Sequence, residues 1–421
     1  MAVAMDAEGP QGAAAETGTG AGSRAGMILT FGLCGVIMIA EGFDTYSVGY
    51  VGPELIKTWG INAATEGLMY AVSVAASLFG SIGIGALSDR IGRKWLLVVS
   101  SVAFGLATFA CAAAPDINVL ILMRVLTGLG LGASIPCAMA LATEAAPPRW
   151  KATVPVMVSA CIGSGMIVSG LVAAAVMPVW GWRGLLYVGG AFPMAVALLM
   201  APWLPESQVL AAAIRRAPKA GWRELADPKI VGVTAVTTLG LLATYTVTFF
   251  FGFWLPSLMN SYVHDIRAVG LAVAGIKTFS LVGSLALGRL MDRFGPSKVL
   301  PLAFVLAAVA LAVGKASSFA LVALGLGVTS FFIDGAFSGI IGFTAMVFPA
   351  RVKGAGIGVA IGVGRLLGGT LGPMLGGVLL ADKLPVRQVA LVFALPMLVA
   401  ALMVFLAARL KGADEPAAAV K

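Results

Sequence analysis

The sequence predicts an all-α membrane protein, with twelve transmembrane helices arranged as two pseudo-symmetric six-helix bundles. Three observations lead there. Hydrophobic residues make up 59% of the chain and charged residues only 11%, whereas about a quarter of an ordinary soluble domain is charged. The phrase Gly85-x-Leu87-x-Asp89-Arg90-x-Gly92 recurs as Gly288-x-Leu290-x-Asp292-Arg293-x-Gly295, at an offset of 203 in a chain of 421 residues. Pro147-x-Arg149-x-Lys151 likewise returns as Pro349-x-Arg351-x-Lys353, at an offset of 202. Two echoes at nearly one offset mark a duplicated chain.

Residues 1–26 are rich in Ala and Gly, carry Asp6, Glu8 and Glu16, and have the single base Arg24. They lack the basic start and apolar centre of a cleaved signal and read as a disordered cytoplasmic tail. Apolar runs long enough to cross ~30 Å of hydrocarbon, roughly 20 residues each, then lie near 27–50, 67–88, 95–113, 118–144, 153–178 and 184–204. Six more lie near 231–256, 268–289, 298–314, 319–347, 355–381 and 388–410, the ninth being short. The polar stretch 205–230 is a central cytoplasmic loop between an N-terminal bundle (27–204) and a C-terminal bundle (231–410); residues 411–421 form a second tail.

Charge sets the orientation. Of the 28 Lys and Arg, 19 fall on the side of the tails. Six fall on the other side (Lys57, Arg183, Arg267, Lys315, Lys383 and Arg387) and three lie within spans. The positive-inside rule places both termini and the central loop in the cytoplasm; the expected location is a bacterial inner membrane.

The net charge of +9 does not indicate nucleic acid, because the bases punctuate apolar runs instead of clustering on one face. Gly128-x-Gly130-x-Gly132 and Gly354-x-Gly356-x-Gly358 lack the strand-to-helix context of a phosphate loop. Packing of helices through small residues accounts for them. In the eleventh run, Gly358, Gly362, Arg365, Gly369, Gly372 and Gly376 are spaced 4, 3, 4, 3, 4 and share one helix face, so Arg365 points away from lipid. Cys34, Cys111, Cys137 and Cys161 have neither metal-ligand nor disulfide spacing, and His264 falls in a short loop. No metal, cofactor or enzymatic activity is expected, nor a partner beyond lipid, protons and a small solute; the chain is expected to work as a monomer.

Six ionisable residues lie within spans: Glu41, Asp44, Arg124, Lys277, Asp334 and Arg365. Each unpaired charge at mid-bilayer costs about 2.5–3.5 kcal/mol on insertion scales, so these groups are paired, hydrated or in use. Glu41 and Asp44 stand three apart on one helix face, and two neighbouring carboxylates in a poorly hydrated place make a candidate proton carrier. Arg124 either modulates that pair or neutralises one member of it. The guanidinium of Arg365 matches a carboxylate, which points to an anionic solute. Lys277 and Asp334 either line the solute site or neutralise each other. Of the aromatic side chains on the same helices, Tyr46 and Trp254 are the candidates to stack on a ring.

Residues 85–94, Gly-Ala-Leu-Ser-Asp-Arg-Ile-Gly-Arg-Lys, resemble the cytoplasmic signature of the major facilitator superfamily, and Arg124-x-x-x-Gly128-x-Gly130 resembles its fourth-helix motif. Glu41-Gly42-Phe43-Asp44-Thr45 with Gly49 and Pro53 is similar to the first-helix motif of the aromatic acid:proton symporters. Further resemblances to that family are Gly181-Trp182-Arg183, Pro205-Glu206-Ser207, Trp254-Leu255-Pro256 and Gly364-Arg365 with Gly372-Pro373. The resemblance implies proton-driven uptake of aromatic carboxylates of the benzoate or hydroxybenzoate type, with Glu41, Asp44 and Arg365 as functional positions. It also implies a cytoplasmic gate made by Gly85, Asp89, Arg90, Gly92, Arg93, Asp292 and Arg293. The first acid is Glu41 where Asp is more usual in the family. The alternative reading, a drug or metabolite:proton exporter, would carry a Gly-Pro motif in the fifth run, where residues 160–166 contain no proline.

Overall fold

A computed structural model describes residues 24–147, 150, 153–206, 227–313, 318–349, 352–382 and 384–414. Helix α1 spans Arg24–Trp59 and α2 Ala63–Phe79. The chain continues from α2 through a π turn (Gly80–Ile84) and a 3-10 turn (Gly85–Leu87) into the short α3 (Ser88–Ile91). There follow α4 (Arg93–Ala112), α5 (Ile117–Ala145) and α6 (Thr153–Trp203). The second half comprises α7 (Pro228–Asn260), α8 (Ile266–Phe294), α9 (Pro296–Val313), α10 (Phe319–Val347), α11 (Lys353–Ala381) and α12 (Val386–Asp414). There is no strand among the described residues.

Ten helices are long and apolar enough to cross a membrane, and α9 is a shorter apolar one. The longest, α6, is two crossings joined at Gly181, whose φ of 63° breaks the helix where the sequence placed the boundary between two runs. Counted so, the described helices make twelve crossings. Helices α1, α5, α7, α8 and α12 extend past their apolar runs at both ends, whereas α10 coincides with its run. Tail residues 1–23 and 415–421 and loop residues 207–226 lie outside the described residues.

The repeated phrase is a structural repeat. Gly92 and Gly295 close the helices that precede them with φ of 92° and 83°, and their amides donate to Ser88 O and Met291 O. Positive φ is accessible to glycine at little cost, which accounts for glycine at the end of both phrases.

The halves meet along α2·α11, α6·α8 and α1·α7. A Cβ at Gly67 would lie 2.6 Å from Pro373 O and 3.1 Å from Gly377 Cα, while one at Gly270 would lie 2.5 Å from Gly170 O. Gly67 and Gly270 are themselves 203 residues apart, so the two crossings are related by the repeat. Both lie toward the face opposite the chain ends. Nearer the chain ends, Gly358 and Gly362 on α11 face open space. The glycine stripe is thus packed in its second half and open in its first, and the face opposite the chain ends, where the close crossings lie, is the closed one.

Candidate functional site

The first-helix acids point inward because α1 packs closely against α6. A Cβ at Gly42 would collide with the Ile162 carbonyl, and one at Gly165 would lie 2.5 Å from Phe43 N. Glu41 is 4% exposed and Asp44 fully buried. Their surroundings differ. Asp44 accepts from Arg124 Nη1 at 3.2 Å (Oδ2) and 3.4 Å (Oδ1), and from Thr108 Oγ1 at 2.5 Å. Arg124 also donates from Nε to Ser73 Oγ at 3.3 Å and is itself 1% exposed. Asp44 is therefore ion-paired and hydrogen-bonded within the N-terminal half. Glu41, by contrast, has Oε2 buried with no hydrogen-bond partner among the described residues, and the base that acts on it is Arg365 of the opposite half.

Arg365 is half-buried on α11. Its Nη2 donates to Ser77 Oγ of α2 at 3.4 Å, and its Nε has no partner among the described residues. Most of its donor fork is uncommitted, which suits it to a planar anion. Tyr46 lies between the halves: its ring packs on Phe253 at 5.7 Å, and its hydroxyl is within electrostatic reach of Glu41, Arg365 and Asp334. The structure thus brings Glu41, Tyr46, Arg365 and Asp334 around one interior region.

Lys277 of α8 donates to Asp334 Oδ2 of α10 at 2.9 Å, and Ser280 Oγ donates to the same oxygen at 2.5 Å. The two are thus ion-paired with each other across α8 and α10. Trp254 is 1% exposed and donates its indole N–H to Pro373 O at 3.0 Å. It ties α7 to α11, and its one polar group is already occupied.

On the face of the chain ends, Arg93 forms an ion pair with Glu144 of α5, and the Lys94 amide donates to Glu206 Oε1 at 3.2 Å. Gly85 closes the π turn with its amide on Gly80 O. Gly92 abuts the Glu206 carboxylate, leaving no room for a Cβ. The counterparts Asp292 and Arg293 are exposed, with Arg293 over the Phe294 ring at 5.2 Å. The side chains of Asp89 and Arg90 lie outside the described residues.

One buried acid was missed by the reading of the sequence. Glu66 falls one residue before the apolar run that begins at 67, yet it lies within α2 and is fully buried. Tyr70 Oη donates to its Oε1 at 2.5 Å and Ser257 Oγ at 3.2 Å. The i, i+4 relation of Glu66 and Tyr70 was the available signal.

Two homologous bundles around buried charges, in a chain of membrane-crossing helices, define a membrane transporter of the two-bundle class. The profile described as "Major Facilitator Superfamily" matches residues 34–265 and 237–421, and the chain belongs to that superfamily. It is 32% identical over 416 residues to the 4-hydroxybenzoate transporter PcaK of Pseudomonas aeruginosa, covering 91% of this chain and 92% of that one. It is 31% identical over 404 residues to the 3-(3-hydroxy-phenyl)propionate transporter of Escherichia coli, covering 96% and 99% respectively. The gallate transporter of Pseudomonas putida is 28% identical over 404 residues, with 88% of this chain and 89% of that one covered. Among solved structures, a bacterial homolog of the human lysosomal transporter Spinster in an inward-facing, occupied conformation has a TM-score of 0.78 at 18% identity, covering 94% of this chain and 100% of that one. The xylose transporter XylE from E. coli has a TM-score of 0.71 at 15% identity, covering 90% and 96%. These two show the fold.

Proposed function

We propose that the protein imports a small aromatic carboxylate of the benzoate or hydroxybenzoate type together with a proton, by alternating access. The observation that carries this reading is the opposition of Glu41 and Arg365 across the halves. A carboxyl whose Oε2 has no hydrogen-bond partner among the described residues faces a guanidinium whose Nε has none, so solute carboxylate and proton act on one electrostatic unit. A carboxylate arriving at Arg365 removes positive charge from beside Glu41, which favours the protonated form of that acid. Solute and proton then load together. Glu41 is the exchanging acid in this scheme, and the Asp44–Arg124 pair is the fixed charge pair behind it. Tyr46 supplies a ring face and a hydroxyl beside the same region.

The aromatic part of the solute is supported by the names of the relatives, which are transporters of hydroxybenzoate, hydroxyphenylpropionate and gallate. Cytoplasmic termini are supported by the distribution of Lys and Arg, so the open half of the glycine stripe lies toward the cytoplasm. The gate on that side would combine the Arg93–Glu144 pair with the exposed Asp292 and Arg293. The test is uptake of labelled 4-hydroxybenzoate into cells at two external pH values, with and without a protonophore. Uptake that collapses with the protonophore supports symport. Uptake that persists overturns it.

A further inference from the structure

Glu66 has no part in the scheme above, yet it is one of the most enclosed polar groups in the molecule. It immediately precedes Gly67 on α2, where α2 meets α11 on the closed face. Its Oε1 accepts from Tyr70 of its own helix at 2.5 Å and from Ser257 of α7, in the other half, at 3.2 Å. Its Oε2 is buried with no hydrogen-bond partner among the described residues. Tyr70 in turn stacks on Phe253 of α7 at 4.9 Å and meets Trp254 edge-on at 5.4 Å. Gly52 of α1 leaves the space that the carboxyl fills, since a Cβ there would overlap it.

Among the described residues no base pairs with this acid, although Arg124 lies within electrostatic reach of its partner Tyr70. On α1 the nearest charges, Glu54 and Lys57, pair with each other at the surface at 2.7 Å. On α2 the titratable neighbour is Tyr70; the stretches Phe250–Asn260 of α7 and Gly369–Ala381 of α11 contain none. An ionised carboxylate enclosed without a cation is strongly disfavoured, whereas a neutral acid can accept two hydroxyl donors on its carbonyl oxygen. The closed contact therefore fits the neutral form. Ionisation calls for water, and water reaches Glu66 only if α2 and α7 part.

We propose that Glu66 is a proton-operated latch of the closed face. Neutral, it bridges the halves through Ser257; on losing its proton it releases them. The face is then held closed at acidic pH and loosens as pH rises. This deepens the alternating-access reading and rests on it, but it does not depend on which solute is carried.

The test uses the full chain in lipid nanodiscs without solute. Spin labels are placed by Thr58→Cys and His264→Cys, both exposed on the closed face, with the four native cysteines replaced by alanine. The label-to-label distance distribution is read at one acidic and one alkaline pH. The expected result is a larger open population at alkaline pH in the parent and a closed, pH-independent distribution in Glu66→Gln. Ser257→Ala, which leaves the acid in place, should raise the open-to-closed ratio at acidic pH by about 2- to 10-fold, the worth of one hydrogen bond. A Glu66→Gln variant that follows pH as the parent does overturns the latch, as does a parent that does not respond. Should Glu66→Gln fail to fold, an unchanged ratio in Ser257→Ala overturns it equally. If the distances respond as expected while uptake survives a protonophore, symport fails and the latch stands. The converse pattern removes the latch alone.

Discussion

Arg124 and Asp44 form an ion pair 3.2 Å long whose side chains are 1% and 0% exposed, joining α5 to α1 inside the N-terminal bundle. That pairing separates two acids which look alike in the sequence. Asp44 is spoken for by Arg124 and Thr108, and Glu41, one turn away, is left facing the other half.

Removing one partner of a buried pair leaves an uncompensated charge, which costs about 3–5 kcal/mol. Arg124→Ala should therefore lower the thermal unfolding midpoint of the detergent-solubilised protein sharply. The double variant Arg124→Gln with Asp44→Asn should recover a large part of that loss. Equal loss in the double variant would show that the pair is not what stabilises this contact.

Glu41→Gln fixes the exchanging acid in a neutral form. Net uptake should lose its dependence on external pH, while exchange of labelled for unlabelled solute across the membrane continues. Retention of the normal pH profile would move the carrier role to another acid.

Arg365→Lys keeps the charge and removes the planar fork, so the solute should bind roughly 10- to 100-fold more weakly, the worth of a charge-assisted hydrogen bond. Arg365→Ala should abolish measurable binding. Isothermal titration with 4-hydroxybenzoate reads both, and unchanged affinity would place the carboxylate elsewhere.

Lys277 and Asp334 are engaged with each other at 2.9 Å. Lys277→Met alone should impair uptake through the orphaned Asp334, and Lys277→Met with Asp334→Asn should restore much of it. A double variant as inactive as the single one would give one of the two a direct part in holding solute.

Gly270→Val tests the closed face. Its side chain would meet the Gly170 carbonyl at 2.5 Å, backbone that cannot move aside. The bundles should part there, and a thiol reagent should label a cysteine introduced nearby several-fold faster; an unchanged rate would mean that the close crossing does not hold the face shut.

Much of this was legible in the sequence. The twelve crossings follow from the cost of unsatisfied backbone in hydrocarbon, which leaves long apolar runs no alternative to helix. The duplication follows from repeated turns whose terminal glycines adopt positive φ in both halves. The inward aim of Arg365 follows from helical periodicity alone. Glu66 was passed over despite its i, i+4 relation to Tyr70, because a window of hydropathy places the start of a span at the first apolar residue and discards an acid beside it.

Residue order alone dictates which residues lie in the membrane, which face of each helix is packed, and that the chain is two copies of one plan. These depend on local periodicity and on the solvent, both written along a single strand of residues. Which acid meets which base was decided only by tertiary structure. Asp44 with Arg124 is a contact between residues 80 apart, Lys277 with Asp334 one between residues 57 apart, and Glu66 with Ser257 one between residues 191 apart. Ion pairs and hydrogen bonds act over a few ångströms, so their partners are fixed by how helices cross and not by where they stand in the chain.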